Sequence, residues 1–135
     1  MTTTINASTG NNLQVTADGS GVLNIQSNGV NTNAQAWANF AGTTTPTIRA
    51  SYNVSSITYS STGFWVVNLT NALTDTNAVC IGTSAYTSLS SGNEGDVANT
   101  NMITTSTVNF SNAVISSTTG GNARNPAVCQ VVVFR

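Results

Sequence analysis

Apolar residues along this chain alternate with Ser, Thr and Asn at a period of two, the repeat of a strand that buries one face. The run Phe64 to Leu69 is explicit. Trp65, Val67 and Leu69 share one side, and Phe64, Val66 and Asn68 share the other. The Trp65 side is expected to enter the core. The same alternation predicts strands over 36–41, 47–52, 54–60, 64–70, 78–85, 104–111 and 127–134. Turn-forming residues cluster between them at 42–46, 60–63, 71–77 and 120–126. Residues 57–69 therefore read as a hairpin. The final run is apolar on both sides, with Val128, Val132 and Phe134 on one and Cys129, Val131 and Val133 on the other. A strand covered on both faces lies centrally in its sheet or at a subunit interface. No stretch shows a helical period. The polar segment 86–103 reads as one long loop, of the kind that is often functional.

Residues 1–33 read as a separate piece. Leu13 and Val15 share a face, as do Leu23 and Ile25, with Asp18-Gly19-Ser20-Gly21 as the turn between them. Such a pair of strands is marginal alone. It is expected to lean on residues 34–135, on a neighbouring subunit or on a larger assembly. The predicted organisation is a short strand-rich segment, 1–33, for anchoring or oligomerisation, followed by an all-β domain, 34–135. Short strands at this spacing suggest an antiparallel β-sandwich or small barrel.

Composition sharpens this picture. Thr, Asn and Ser supply 58 of the 135 residues, and charged residues only 5%, against ~25% in ordinary domains. Abundant Val, Ile and Thr with a net charge of −1 argue for strands rather than disorder. Soluble β-proteins often guard sheet edges with Lys, and this chain has none. Closure or coverage by neighbouring chains must take its place, which favours an oligomer.

The same composition removes several classes of chemistry. Without His, neither a Ser-His-Asp nor a Cys-His arrangement can be built. Without Lys there is no Schiff base and no phosphate-binding loop. Of the four carboxylates, Asp18 and Asp75 sit in predicted turns, and Glu94 and Asp96 flank Gly95 in the long polar segment. None forms a convincing glycosidase pair or matches a calcium loop. Two cysteines without His do not make a zinc site. Cys80 and Cys129 read as buried thiols or, alternatively, as a disulfide between neighbouring strands. Three scattered arginines give no footprint for nucleic acid, and no segment is long and apolar enough to span a membrane. The first ten residues lack the basic and apolar regions of a signal peptide, so the four Asn-X-Ser/Thr sites read as by-products of composition. The expectation is no enzyme, no cofactor and no metal. What remains is surface. Tyr52, Tyr59, Phe64 and Tyr86 are candidates for an aromatic, hydrogen-bonding patch that binds glycans or proteins, with Tyr86 leading into the polar loop; the alternative is that most of them are core or interface residues.

One stretch carries a resemblance. Ala36, Trp37, Asn39, Phe40 and Gly42, then Ile48 to Ser56, then Thr62, Gly63, Val67 and Asn68, and finally Asp75 and Asn77 resemble a domain found at the C-terminal ends of tailed-bacteriophage fibre proteins. The closing Val131 to Arg135 is similar to that family's final strand, and the lead-in over 9–29 to the segment that often precedes it. Ala38, Ala41 and Trp65 depart from the pattern. The resemblance spans most of the chain. It implies a non-enzymatic protein of the virion exterior, assembled in the host cytoplasm as a homotrimer, with major capsid or tail proteins as partners. With only 33 residues ahead of the domain there is no room for a shaft, which favours a capsid decoration or head-fibre protein. The alternative is a short tail-fibre or tail-tip subunit that binds a host surface glycan or protein. On this reading Trp37, Phe40 and Tyr52 pack on strands. Arg49 is an internal or interfacial cation whose partner is a backbone carbonyl or an acid such as Asp75.

Overall fold

The computed structural model describes residues 25–86, 94–116 and 120–135. Within them the chain is all-β, with no helix. Its strands are β1 (Gln26–Ser27), β2 (Val30–Asn31), β3 (Ala34–Phe40), β4 (Ile48–Tyr52), β5 (Val54–Ser61), β6 (Phe64–Leu69), β7 (Val79–Ala85), β8 (Glu94–Thr104), β9 (Thr107–Ser116), β10 (Gly120–Ala123) and β11 (Val128–Phe134). All pairings are antiparallel, and the sheets do not close into a barrel. Strands β1 and β2 form a small hairpin over Asn28 and Gly29, both with positive φ, the two-residue turn whose twist suits a hairpin. Residues 1–24, and with them the predicted turn at Asp18 to Gly21, lie outside the described part.

A four-stranded sheet runs β4-β3-β11-β7, and a five-stranded sheet runs β10-β9-β6-β5 with β8 on the other side of β9. The predicted alternation decides which side chains meet between them. Ala36, Ala38 and Phe40 on β3 and Cys129, Val131 and Val133 on β11 are buried. They share one core with Trp65, Val67 and Leu69 on β6 and Val108 and Phe110 on β9. Phe40, Trp65 and Phe110 form an edge-to-face triangle, with ring centroids 5.4 to 6.3 Å apart, the separation at which aromatic quadrupoles attract. The predicted hairpin over 57–69 is β5 and β6, and the buried side of β6 is the Trp65 side. As predicted, β11 lies centrally. Its Val132 and Phe134 side, however, is only half-buried in the monomer.

The chain changes sheets at Asn53. This residue has a positive φ, which a short amide side chain tolerates better than most. Its Nδ2 donates to the carbonyls of Gln35 and Asn71 at 3.0 and 3.1 Å, and its Oδ1 accepts from the Asn71 N–H at 2.8 Å. One side chain thus ties the β4–β5 corner to the start of β3 and the segment after β6.

Three expectations need correction. The segment 86–103 is not one long loop, because β8 occupies Glu94–Thr104 and pairs with β9 along its length. Ala98 and Met102 pack against the core while Val97 and Ile103 face out. The alternation was present but diluted by Asn, Thr and Gly, so polarity masked it. The turn expected at 120–126 holds β10, paired with the end of β9, and the strand expected over 104–111 spans Thr107–Ser116 after a turn at 105–106.

Candidate functional site

The five residues singled out by sequence do not form one patch. Arg49 lies where the β3–β4 register shifts. Its Nη1 donates to the Phe40 carbonyl at 3.0 Å and to Asn39 Oδ1 at 3.2 Å, and its Nη2 donates to the Ala127 carbonyl at 2.8 Å. Of its two expected partners the backbone carbonyl is the one found, and the guanidinium clamps β4 to β3 and to the entrance of β11. Tyr59 packs edge-to-face on Trp65 at 6.1 Å, with its hydroxyl 3.3 Å from that of Thr62. It buttresses the core rather than offering a recognition surface. Tyr86 is exposed and lies under the Arg124 guanidinium, 4.3 Å from the ring centroid, a cation–π contact. Residues 87–93, which follow it in the loop expected over 86–103, lie outside the described residues, as do the side chains of Glu94 and Asp96.

Tyr52 and Phe64 sit on the outward faces of different sheets, and these two faces differ in kind. On the four-stranded sheet, Tyr52, Trp37, Val132 and Ile81 stand in one row across β4, β3, β11 and β7. Phe134 and Val79 pair beside them. Trp37 is 38% exposed, Ile81 52% and Val79 62%. Trp37 therefore stands on the outward face, because the buried phase of β3 belongs to Ala36, Ala38 and Phe40. The next row is Ala50, Asn39, Gln130 and Thr83, where Thr83 Oγ1 donates to Gln130 Oε1 at 3.0 Å. Neither row carries an Asp, Glu, Lys or Arg side chain.

The outward face of the five-stranded sheet is mostly polar, with Phe64, Val97 and Ile103 exposed among Ser, Thr and Asn. Its rows read Ser61, Phe64, Ser111 and Asn99, then Thr58, Val66, Asn109 and Asn101. Phe64 is 49% exposed on this face and edges a recess of about 470 Å³. Sequence alternation placed Phe64 outward but could not tell which strands would flank it. That needed the β6–β9–β8 register.

A polar junction sits at one end of the sheets. Asn112 is buried; its Nδ2 donates to the Arg124 carbonyl at 3.0 Å, and its Oδ1 accepts from the Ser84 hydroxyl. The Gly63 N–H donates to Asn125 Oδ1 at 2.8 Å. Cys80 and Cys129 are not joined in a disulfide. Cys80 lies opposite Val133, and Cys129 opposite Ser84, too far out of register for the disulfide alternative. Burial pushes the Cys80 thiol above its ordinary range, which disfavours the nucleophilic thiolate.

Asp75 pairs with Arg135 instead of Arg49. Its carboxylate accepts from Arg135 Nε at 2.6 Å, from Arg135 Nη2, and from the Asn77 N–H at 2.7 Å. The hydrogen bond from Arg135, then that from Asn77, hold Asp75 below the usual carboxylate range. A group whose pKa is depressed by folding stabilises the fold above its unfolded pKa and stops doing so as pH falls through the folded one. Asp75→Asn should therefore lower Tm slightly at neutral pH and flatten the acid limb below about pH 4. Both side chains are partly exposed, so salt should shrink the difference. Thermal melts against pH, at low and high salt, check this; an unchanged acid limb in the variant would remove the pair from the account.

Comparison with protein-family models, curated proteins and solved structures finds no match for this chain.

Proposed function

We propose that this chain is a non-enzymatic structural protein of a bacteriophage virion exterior, a capsid decoration or head-fibre protein whose β-sandwich subunits assemble as a homotrimer. The virion part of this reading rests on the resemblance of the Ala36 to Ser56 motifs to phage fibre domains. The structure supports a fold-building role for them. Phe40 enters the core, Arg49 clamps three strands, and Asn53 turns the chain from one sheet to the other.

The observation that carries assembly is the Tyr52–Trp37–Val132–Ile81 row. An apolar face in mid-sheet is costly to leave in water. A second copy of this chain suits it, because the two rows hold no charge to desolvate or repel and Arg49, beside Ala50, already bonds carbonyls of its own chain. The Ser/Thr/Asn face of the other sheet is then left for solvent, which accounts for solubility at 5% charge. The recess at Phe64 favours a second reading, a short tail-fibre or tail-tip subunit that binds the host receptor.

Light scattering at micromolar concentration should report a trimer, and Ile81→Glu, which sets like charges against one another across the contact, should reduce its mass with an unchanged circular dichroism spectrum. A stable wild-type monomer sinks the assembly reading. Counting the protein in purified particles tests the rest. A large, lattice-set copy number supports decoration, a small one the tail, and absence from particles defeats both.

A further inference from the structure

We propose that the recess beside Phe64 binds a neutral pyranose sugar. Its walls are Ser60 and Ser61 from the end of β5, Phe64 from β6, Asn109 and Ser111 from β9, and Asn101 from β8. Four strands of one paired sheet thus supply every wall, so the site is rigid before any ligand arrives. Its volume, about 470 Å³, lies within the ordinary range of small-ligand sites.

Two features set the recess apart from the surrounding surface. The first is Phe64. Its direct cross-strand neighbours are Ser61 and Ser111, so it is a half-exposed aromatic ring between two serines. Nothing in the core requires a ring at this outward position. The second is the amide pair. Asn101 and Asn109 stand opposite each other on β8 and β9, and among the described residues neither side chain has a hydrogen-bond partner. Asn99, two residues away on the same face of β8, is open in the same way among the described residues, while several other asparagines are not. Asn68 Nδ2 donates to the Ser56 and Thr58 hydroxyls, both at 3.0 Å, and the amides of Asn53 and Asn112 are bonded at both ends. Two adjacent amides with free donors and acceptors, beside a bare ring, form a surface with a ligand's chemistry written into it.

That chemistry is a sugar's. A pyranose presents a C–H face that packs on an aromatic ring and an edge of hydroxyls that both donate and accept. A primary amide also does both, and the serine hydroxyls can complete the set. No ionisable side chain lines the recess, so an acidic sugar or a phosphate would lack the cation it needs. A peptide fits less well. Extended peptides add to an open sheet edge, and β6 and β9 are paired on both sides here. Because the recess and the apolar row lie on different sheets, the site does not depend on the assembly contact.

The test is an NMR titration of isotope-labelled protein with D-glucose, D-galactose and N-acetyl-D-glucosamine, and with lactose and chitobiose. At least one sugar should shift the side-chain amide signals of Asn101 and Asn109 and the ring signals of Phe64, with affinity in the millimolar range for a monosaccharide. Phe64→Ala should weaken binding at least about tenfold, or ~1.4 kcal/mol, and Phe64→Trp should retain it. Asn101→Ala and Asn109→Ala should each weaken it as well. Because Phe64 is exposed, the alanine variant should keep the wild-type spectrum away from the recess. The Ile81→Glu variant, tested alongside, should bind sugar as the wild type does, which separates failure of this site from failure of the assembly reading. Any of four results overturns the proposal: no shift with any of these sugars, shifts that map elsewhere, binding indifferent to Phe64→Ala, or a recess that takes peptides and no sugar.

Discussion

Trp65→Ala is expected to lower the unfolding free energy by about 3–5 kcal/mol. Trp65 is 1% exposed, so truncation loses nearly all of its burial and leaves a void bounded by strands that cannot close over it. It also loses edge-to-face contacts with Phe40, Phe110 and Tyr59, each worth about 0.5–1.5 kcal/mol. The indole Nε1 donates to the Thr43 carbonyl at 3.1 Å, pinning the β3–β4 connection over the core. Trp65→Phe should cost much less. It keeps a ring in the triangle, and the orphaned carbonyl belongs to an exposed residue that water can reach. Urea unfolding at fixed protein concentration, followed by circular dichroism, measures both. A domain of this size has roughly 5–15 kcal/mol in total, so the alanine variant sits at the edge of folding at 37 °C. A loss below about 1 kcal/mol would mean that the two sheets do not meet at this ring.

The core was legible on β6, where the Trp65, Val67 and Leu69 side was expected inward and is buried. On β11 an unbroken apolar run hid the phase, and the burial of Cys129, Val131 and Val133 came only from the fold. Size alone would not find the buried phase of β3. It is carried by Ala36, Ala38 and Phe40, and Trp37, the bulkiest side chain of the strand, points outward. Strand β8 was missed for a related reason. Its inward positions, Ala98, Thr100 and Met102, alternate with Asn and Val, a contrast too weak to separate from a polar loop. The Phe64 recess was only half legible. Period two put Phe64 outside, but its company of Asn101 and Asn109 comes from strands more than thirty residues away. Arg49 was readable as a cation seeking carbonyls, since the chain has so few acids. That Arg135 would take Asp75 was not, because it depends on where the 70–78 crossover passes the end of β11.

Gly63→Ala is expected to cost about 3 kcal/mol, more than its left-handed backbone alone would charge. Gly63 has φ +77°, where an L-residue pays about 1–2 kcal/mol. A Cβ built there would lie 2.5 Å from the Asn112 carbonyl oxygen and 2.9 Å from the Ala123 side chain. The first is backbone, so no rotamer change relieves it. Gly63 is also tied at both ends, since its carbonyl accepts the Asn112 N–H at 2.8 Å while its own N–H donates to Asn125. Any shift that frees the methyl group must stretch one of these bonds and disturb the buried Asn112 amide. Gly29 supplies the comparison. Its φ is +78°, almost the same, but a Cβ there meets nothing within 4 Å. Gly29→Ala should therefore show the backbone penalty alone, confined to the β1–β2 hairpin. Urea unfolding of the two variants, with hydrogen exchange at Asn112 and across β1–β2, separates the terms. Equal global losses would mean that the steric wall at Asn112 yields more easily than a backbone atom can, and the junction it anchors would no longer account for the close β5–β6 turn.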